Sequence, residues 1–187
     1  MPPPAAPVIR RADLLGTDAA GVGRLVRDYL GQTEREKAEH QALAPGTFRA
    51  GGDTSPLPER YRPEVEHPRR AYRNAVVHVA ELAGRLVGVV VGQRAGDAWE
   101  IKRLWVDPEA RGLGAGVALL DAAVRGQDRP VRLTVWEWRT GALALYRSRG
   151  FSVIPSWDGR TGLVCLERPP ATSSASAASP RSPRPRP

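Results

Sequence analysis

Between residues 22 and 30 the apolar positions Val22, Leu25, Val26, Tyr29 and Leu30 recur every three or four residues, which puts them on one face of an α-helix. Thr17 or Asp18 stands where its N-cap belongs, and "PVIRRAD" before it reads as a short strand. The polar run "TEREKAEHQAL" predicts a second helix. "NAVVHVAEL" and "RLVGVVVGQRA" are β-branched runs joined by Ala83-Gly84, the pattern of an antiparallel hairpin. Ala98 to Val106 predicts the next strand, after which a glycine-containing turn leads into a helix with Val117, Leu120, Ala123 and Val124 on one face. "VRLTVWEW" predicts a further strand. "TGALALYRSR" predicts a helix carrying Ala142, Leu145, Tyr146 and Arg149 along one side and stopping at Gly150. "FSVI" and "GLVCLER" supply two last strands. The order β-α-α-β-β-β-α-β-α-β-β specifies a mixed α/β (α+β) sheet with helices on both faces.

The ends of the chain carry no such pattern. Residues 1–7 are proline-rich, and 169–187 collapse to proline, serine, alanine and arginine, too little apolar surface to offset the entropy of ordering. One domain, residues 8–168, is expected between them, interrupted by the proline- and glycine-rich connection "APGTFRAGGDTSPLPERYRPEVEHPRR". The net charge of +8 is carried almost wholly by arginine, the only lysines being Lys37 and Lys102. Such a bias records coding composition as readily as function, and arginines interleaved with prolines lack the aromatic residues that stack on bases, so a nucleic-acid partner is disfavoured. The single Cys165 excludes an internal disulfide, and His40, His67 and His78 show no metal-ligand spacing. No run reaches the length of a membrane span, and "MPPPAAPVIRR" lacks the apolar core of a signal peptide. A cytoplasmic, metal-free protein away from the membrane is expected, as a monomer or homodimer.

The stretch "EIKRLWVDPEARGLGAGVALL" concentrates the chemistry. Unpaired amides at a helix start attract anions, and glycines there let a phosphate approach the main chain. A dinucleotide site needs G-x-G-x-x-G early in a βαβ unit, whereas Gly112, Gly114 and Gly116 are spaced G-x-G-x-G after a hairpin. A Walker loop needs Lys and Ser or Thr after the last glycine, and Val117-Ala118 offers neither.

What fits is Arg-x-x-Gly-x-Gly, met by Arg111, Gly114 and Gly116. With "RLWVDPEA" before it and "ALALYRSRGF" after it, the chain resembles the GNAT superfamily of N-acetyltransferases, over residues 8–168 in element order and most closely over 98–151. The resemblance implies a mostly antiparallel twisted sheet of six or seven strands with a central V-shaped splay, flanked by about four helices. It implies acetyl-CoA as co-substrate and no metal. The pyrophosphate would be held by amides of Arg111, Gly112, Leu113, Gly114, Ala115 and Gly116, and the pantetheine by the strand backbone at Leu104, Trp105 and Val106 with Ala142 on the later helix. Many relatives carry an asparagine where this chain has Arg139, whose longer side chain would reach a coenzyme phosphate or the acceptor.

The resemblance also implies catalytic roles. Glu100, eleven residues before Arg111, matches the glutamate base of protein-acetylating relatives, and a substrate ammonium with a pKa of about 10 needs such a base. The alternative is that Glu100 and Lys102, on one strand face, form only an ion pair. Tyr146 matches the tyrosine that donates a proton to the leaving CoA sulfur. Direct attack by the amine in a ternary complex is implied, without a covalent acyl-enzyme. The acceptor would be a small-molecule or peptide amine; Tyr61, Trp136, Trp138, Trp157, Glu137 and Asp158 fall in segments that build its side of the cleft. "LPERY", "EIKRLWV" and "ALALYRSRGF" together look like a bacterial small-domain subgroup. A catalytically silent acyl-CoA sensor or scaffold is the alternative.

Overall fold

A computed structural model describes residues 6–42 and 57–170. Residues 1–5, 43–56 and 171–187, which include most of both predicted tails and the first half of the long connection, lie outside the described residues. The chain runs β1 (Val8–Arg11), α1 (Asp18–Ala42), α2 (Arg62–Glu66), α3 (Pro68–Ala71), β2 (Ala75–Leu82), β3 (Arg85–Ala95), β4 (Ala98–Val106), α4 (Ala115–Val124), β5 (Val131–Trp136), α5 (Thr140–Ser148), β6 (Ser152–Val153) and β7 (Leu163–Arg168).

The seven strands form one sheet in the order β1-β2-β3-β4-β5-β7-β6, antiparallel throughout except for the parallel pair β4 and β5. The hairpin between β2 and β3 turns at Ala83 and Gly84, both at positive φ, as a tight two-residue turn requires. Side chains of β3 alternate between two cores. Val89 and Val91 meet Val22, Leu25, Val26 and Leu30 of α1 on one face, and Val87 and Val90 meet Leu119 and Leu120 of α4 on the other. The run is apolar without alternation because both of its faces are covered.

Three expectations change. The first two helices are one, α1, of 25 residues. Thr33 does not break it, because its hydroxyl donates to the Tyr29 carbonyl 2.8 Å away, and the polar half is laced by Lys37–Glu34 at 2.7 Å. The buried faces of α4 and α5 include Leu119 and Leu143, whereas Val117 is only half-buried. Residues 59–71 of the connection fold into a 3-10 turn and the short helices α2 and α3. Helix α2 lies so close to α1 that a Cβ at Gly23 would collide with the Val65 carbonyl.

The start of α1 is fixed electrostatically. The buried Asp18 carboxylate accepts hydrogen bonds from Arg10 at 2.6 and 3.0 Å and from the Asp13 amide at 2.7 Å, so its pKa lies below the usual carboxylate value. Asp18→Ala is expected to lower the unfolding free energy at pH 7 by about 1–2 kcal/mol, the smaller end reflecting an Arg10 that is more than a third exposed. That contribution is fully present above the unfolded value of about 3.9 and is lost as pH falls through the lowered folded value. Urea denaturation from pH 7 to pH 2 should therefore show wild type and variant converging in acid; a gap independent of pH would assign the loss to packing.

Candidate active site

The site begins with a failure of strand pairing. Strands β4 and β5 pair only at Trp99↔Val131, Glu100↔Arg132 and Ile101↔Leu133. On the other side of β4, Ile101 and Arg103 oppose the consecutive residues Gly92 and Val91, so Lys102 is the extra residue of a β-bulge. A bulge bends its strand and increases its twist. From this point β4 stays with β3 to Gly88↔Val106, while β5 stays with β7 to Trp136↔Leu163. The two central strands part, leaving one edge of β4 from Lys102 to Val106 unpaired.

A cavity of about 180 Å³ occupies the gap. Among the residues expected at the site, Glu100, Leu104, Arg139, Ala142 and Tyr146 line it together. Trp105 does not: its side chain is buried on the α1 face, edge-on to Tyr29, with no partner for its indole N–H among the described residues. Only its main chain belongs to the open edge. Val106 turns toward α4, where a Cβ at Gly116 would make ordinary contact with it.

The glycine loop follows directly. Gly112 and Gly114 have φ of 82° and 80°, the left-handed region that favours glycine, and nothing lies within 4 Å of a Cβ built on either. Gly114 is the N-cap of α4. The amides of Gly112, Leu113 and Gly114 find no protein acceptor among the described residues, and those of Ala115 and Gly116 belong to the first turn, where helices leave donors free. The loop is an open cradle of donors on a helix dipole. The Arg111 guanidinium lies over the Trp105 ring, 4.9 Å from its centroid, and its Nε donates to the Val106 carbonyl at 3.2 Å.

Glu100 sits at the vertex of the gap, its Oε1 3.3 Å from the Lys102 ammonium. Cavity and ion pair are thus both present. Tyr146, from α5, is buried against Phe151, and burial pushes its phenol pKa well up, so the hydroxyl keeps its proton at neutral pH. Its oxygen donates to no protein acceptor among the described residues. Arg139, in the cavity lining, is held by α1: Nε binds Glu36 at 2.7 Å and a terminal nitrogen binds the Thr33 hydroxyl at 2.8 Å. Its charge is spent on joining α5 to α1, and it does not turn toward the glycine loop. Burial works against the Glu36 carboxylate, yet hydrogen bonds from Gln32, Arg139 and Trp138 bring it below the usual range.

The remaining wall carries Tyr61, Trp136, Trp157 and Asp158, as the sequence places them, and Tyr29, Thr33, Lys37, Arg103 and Arg160, which it did not single out. Trp138 stands behind Trp136, stacked at 4.7 Å, with His40 on its other face at 4.1 Å. Glu137 lies outside the lining, and Asp158 is neutralised by Arg160 at 2.6 Å, which holds its pKa down at about 2. Arg103 fixes α2 to β4 through two bonds to Glu64 at 3.0 and 2.8 Å.

An open strand edge and a buried phenol share one gap, and an open cradle of amides follows at the end of the same strand. Residues 73–153 match the model of the acetyltransferase (GNAT) domain, and over that stretch the chain is similar to the GNAT superfamily. Among solved structures, PaiA N-acetyltransferase from Thermoplasma acidophilum in complex with coenzyme A superposes with a TM-score of 0.62 at 18% identity, over 88% of this chain and 99% of that one. An acetyltransferase from Streptococcus agalactiae gives 0.63 at 13% identity, over 88% and 98%. YncA from Salmonella typhimurium with its cofactor acetyl-CoA gives 0.59 at 17%, over 93% and 99%. At these identities the likeness is one of fold. No match was found among curated proteins.

The Glu36–Arg139 pair is nearly buried, with side chains 19% and 17% exposed. Removing either partner leaves a charge without its counterion, so Glu36→Ala and Arg139→Ala should each cost about 2 kcal/mol, and the double variant clearly less than their sum. Urea denaturation of the four proteins measures the coupling, and strict additivity would show that the pair contributes nothing.

Proposed function

We propose that residues 8–168 form a cytoplasmic, acetyl-CoA-dependent N-acetyltransferase that acts on a primary amine of a small molecule or peptide by direct attack in a ternary complex. The observation that carries this reading is the parting of β4 from β5 with Glu100 and the Tyr146 hydroxyl in the same gap. Among the described residues, no helix is long and apolar enough to cross a membrane, and no cluster of three or more His, Cys, Asp or Glu could hold a metal.

The residues present fit the coenzyme. The cradle at Gly112–Gly116 has room where side chains would otherwise stand, and its amides suit a diphosphate. The free edge of β4 at Leu104–Val106 offers main-chain groups to the amide-bearing pantetheine, in the manner of an added strand. When bound, acetyl-CoA supplies the activated acyl group. Glu100 then takes the proton of the acceptor amine after exchanging its bond to Lys102. Tyr146, kept protonated by burial, donates toward the departing sulfur. The residues mostly position the reactants, and exclusion of water by the enclosing walls strengthens each of these contacts.

The Glu100–Lys102 ion pair is the one feature that favours the silent acyl-CoA binder, since a carboxylate held by an ammonium is not free to act as a base. Two measurements separate the readings. Calorimetry should give micromolar binding of acetyl-CoA and CoA to wild type, abolished in Gly114→Glu, which places a side chain and a negative charge in the cradle; no binding by folded wild type would overturn both readings. Turnover over an amine panel, followed by free thiol, should fall about 10²-fold or more in kcat for Glu100→Gln and for Tyr146→Phe, with CoA affinity retained. The Glu100→Gln deficit should shrink as pH approaches the pKa of the amine. Binding with no turnover of any amine would leave the silent reading.

A further inference from the structure

The acceptor side of the cavity has a polarity that follows from counting which hydrogen-bonding groups are still free. Five cations line it, Lys37, Lys102, Arg103, Arg139 and Arg160, against two carboxylates, Glu100 and Asp158. Arg103 and Arg139 are spent on Glu64 and on Glu36 with Thr33. Asp158 is spent as well: Oδ1 accepts from the Arg160 amide and Nε, and Oδ2 from an Arg160 terminal nitrogen.

What remains is donor capacity. The Lys37 ammonium makes one bond, to Glu34, and has two donors left. Arg160 keeps its second terminal nitrogen, and its side chain is 56% exposed. Both cations are held beside the same ring, 5.2 and 5.7 Å from the centroid of Trp136, whose parallel neighbour at 4.7 Å is Trp138. Cation–π attraction thus fixes two positive groups at the wall and uses the ring that an aromatic amine would stack on. Among the described residues of the lining, the one carboxylate oxygen without a partner is Glu100 Oε2, on the group that the reaction needs as its base.

Among the described residues a polycationic amine finds no free anion here beyond Glu100 and meets Lys37, Lys102 and Arg160. An amine that also carries a carboxylate finds a base for its nitrogen and donors for its oxygens. We infer that the acceptor is an α-amino carboxylate, a small amino acid or its close analogue, with Lys37 and Arg160 as the residues that select the carboxylate. The inference rests on the acetyltransferase reading.

The test uses the reaction's products, which occupy the acceptor site without turning over. CoA is first titrated into the full chain by calorimetry. Into the CoA-saturated protein are then titrated the N-acetyl derivatives of glycine, alanine, methionine, glutamate and phenylalanine, each beside its C-terminal carboxamide. At least one acid should bind ten times or more tightly than its amide, with a preference that shrinks as salt is raised. Lys37→Ala and Arg160→Ala should each cut that preference severalfold and together erase it. CoA affinity within twofold of wild type shows that the variants are folded. Failure to bind CoA would defeat the acetyltransferase reading itself. CoA binding with acid and amide treated alike in every pair, absence of binding included, would overturn this inference alone, as would an acid preference indifferent to both substitutions.

Discussion

Everything at this site depends on two strands that stop pairing. Hydrogen bonding between β4 and β5 ends at Ile101↔Leu133, and Lys102 bulges out of the β3 ladder at the next residue. A flat continuation would have satisfied the backbone of both strands and closed the sheet. The bulge instead rotates the outer half of β4 away, at the cost of main-chain groups that only a ligand or water can pair. The cavity, the free edge and the position of Glu100 at the vertex are consequences of that one irregularity. Tyr146 reaches the gap because α5 follows β5, on the departing side.

The two faces of the sheet divide the labour. Helices α4 and α5 close one core around Leu119, Leu120, Leu143 and Leu166, and the glycine loop is held rigidly because α4 begins in it. On the other face the inner half of α1 is anchored by Val22, Leu25, Val26 and Leu30, whereas its outer half leaves the core and gives the cavity wall Thr33 and Lys37, with Glu34 and Glu36 pairing Lys37 and Arg139 of that wall. Local propensity and packing agree over the first half, and polar contacts take over in the second.

Much of this was legible in the chain. The hairpin at Ala83-Gly84, the strand Ala98–Val106, the loop after Arg111 and the helix ending at Gly150 carry periodicities and turn residues that permit few alternatives. Helix α1 was read as two because the apolar stripe stops at Leu30; side-chain pairing, not a stripe, carries it to Ala42, and pairing of that kind leaves a weak trace in sequence. Leu119 and Leu143 escaped because both helices face a concave sheet that buries a wider arc than one stripe. The motif residues found the gap, but the wall opposite could not be read. Glu36 meets Arg139 across 103 positions, and no local pattern announces such a contact. The departure at Arg139 was visible in the sequence, and its partner was not.

The two halves of α1 answer to different properties of the solvent. The inner half, beyond the Asp18–Arg10 pair at its start, is secured by apolar burial, which kosmotropic salts strengthen. The outer half is secured by Lys37–Glu34, Arg139–Glu36 and the indole of Trp138 on Glu36, electrostatic contacts that mobile ions weaken, the nearly buried Arg139–Glu36 pair least. Ionic strength can therefore loosen the wall of the cavity more readily than the packed body of the domain.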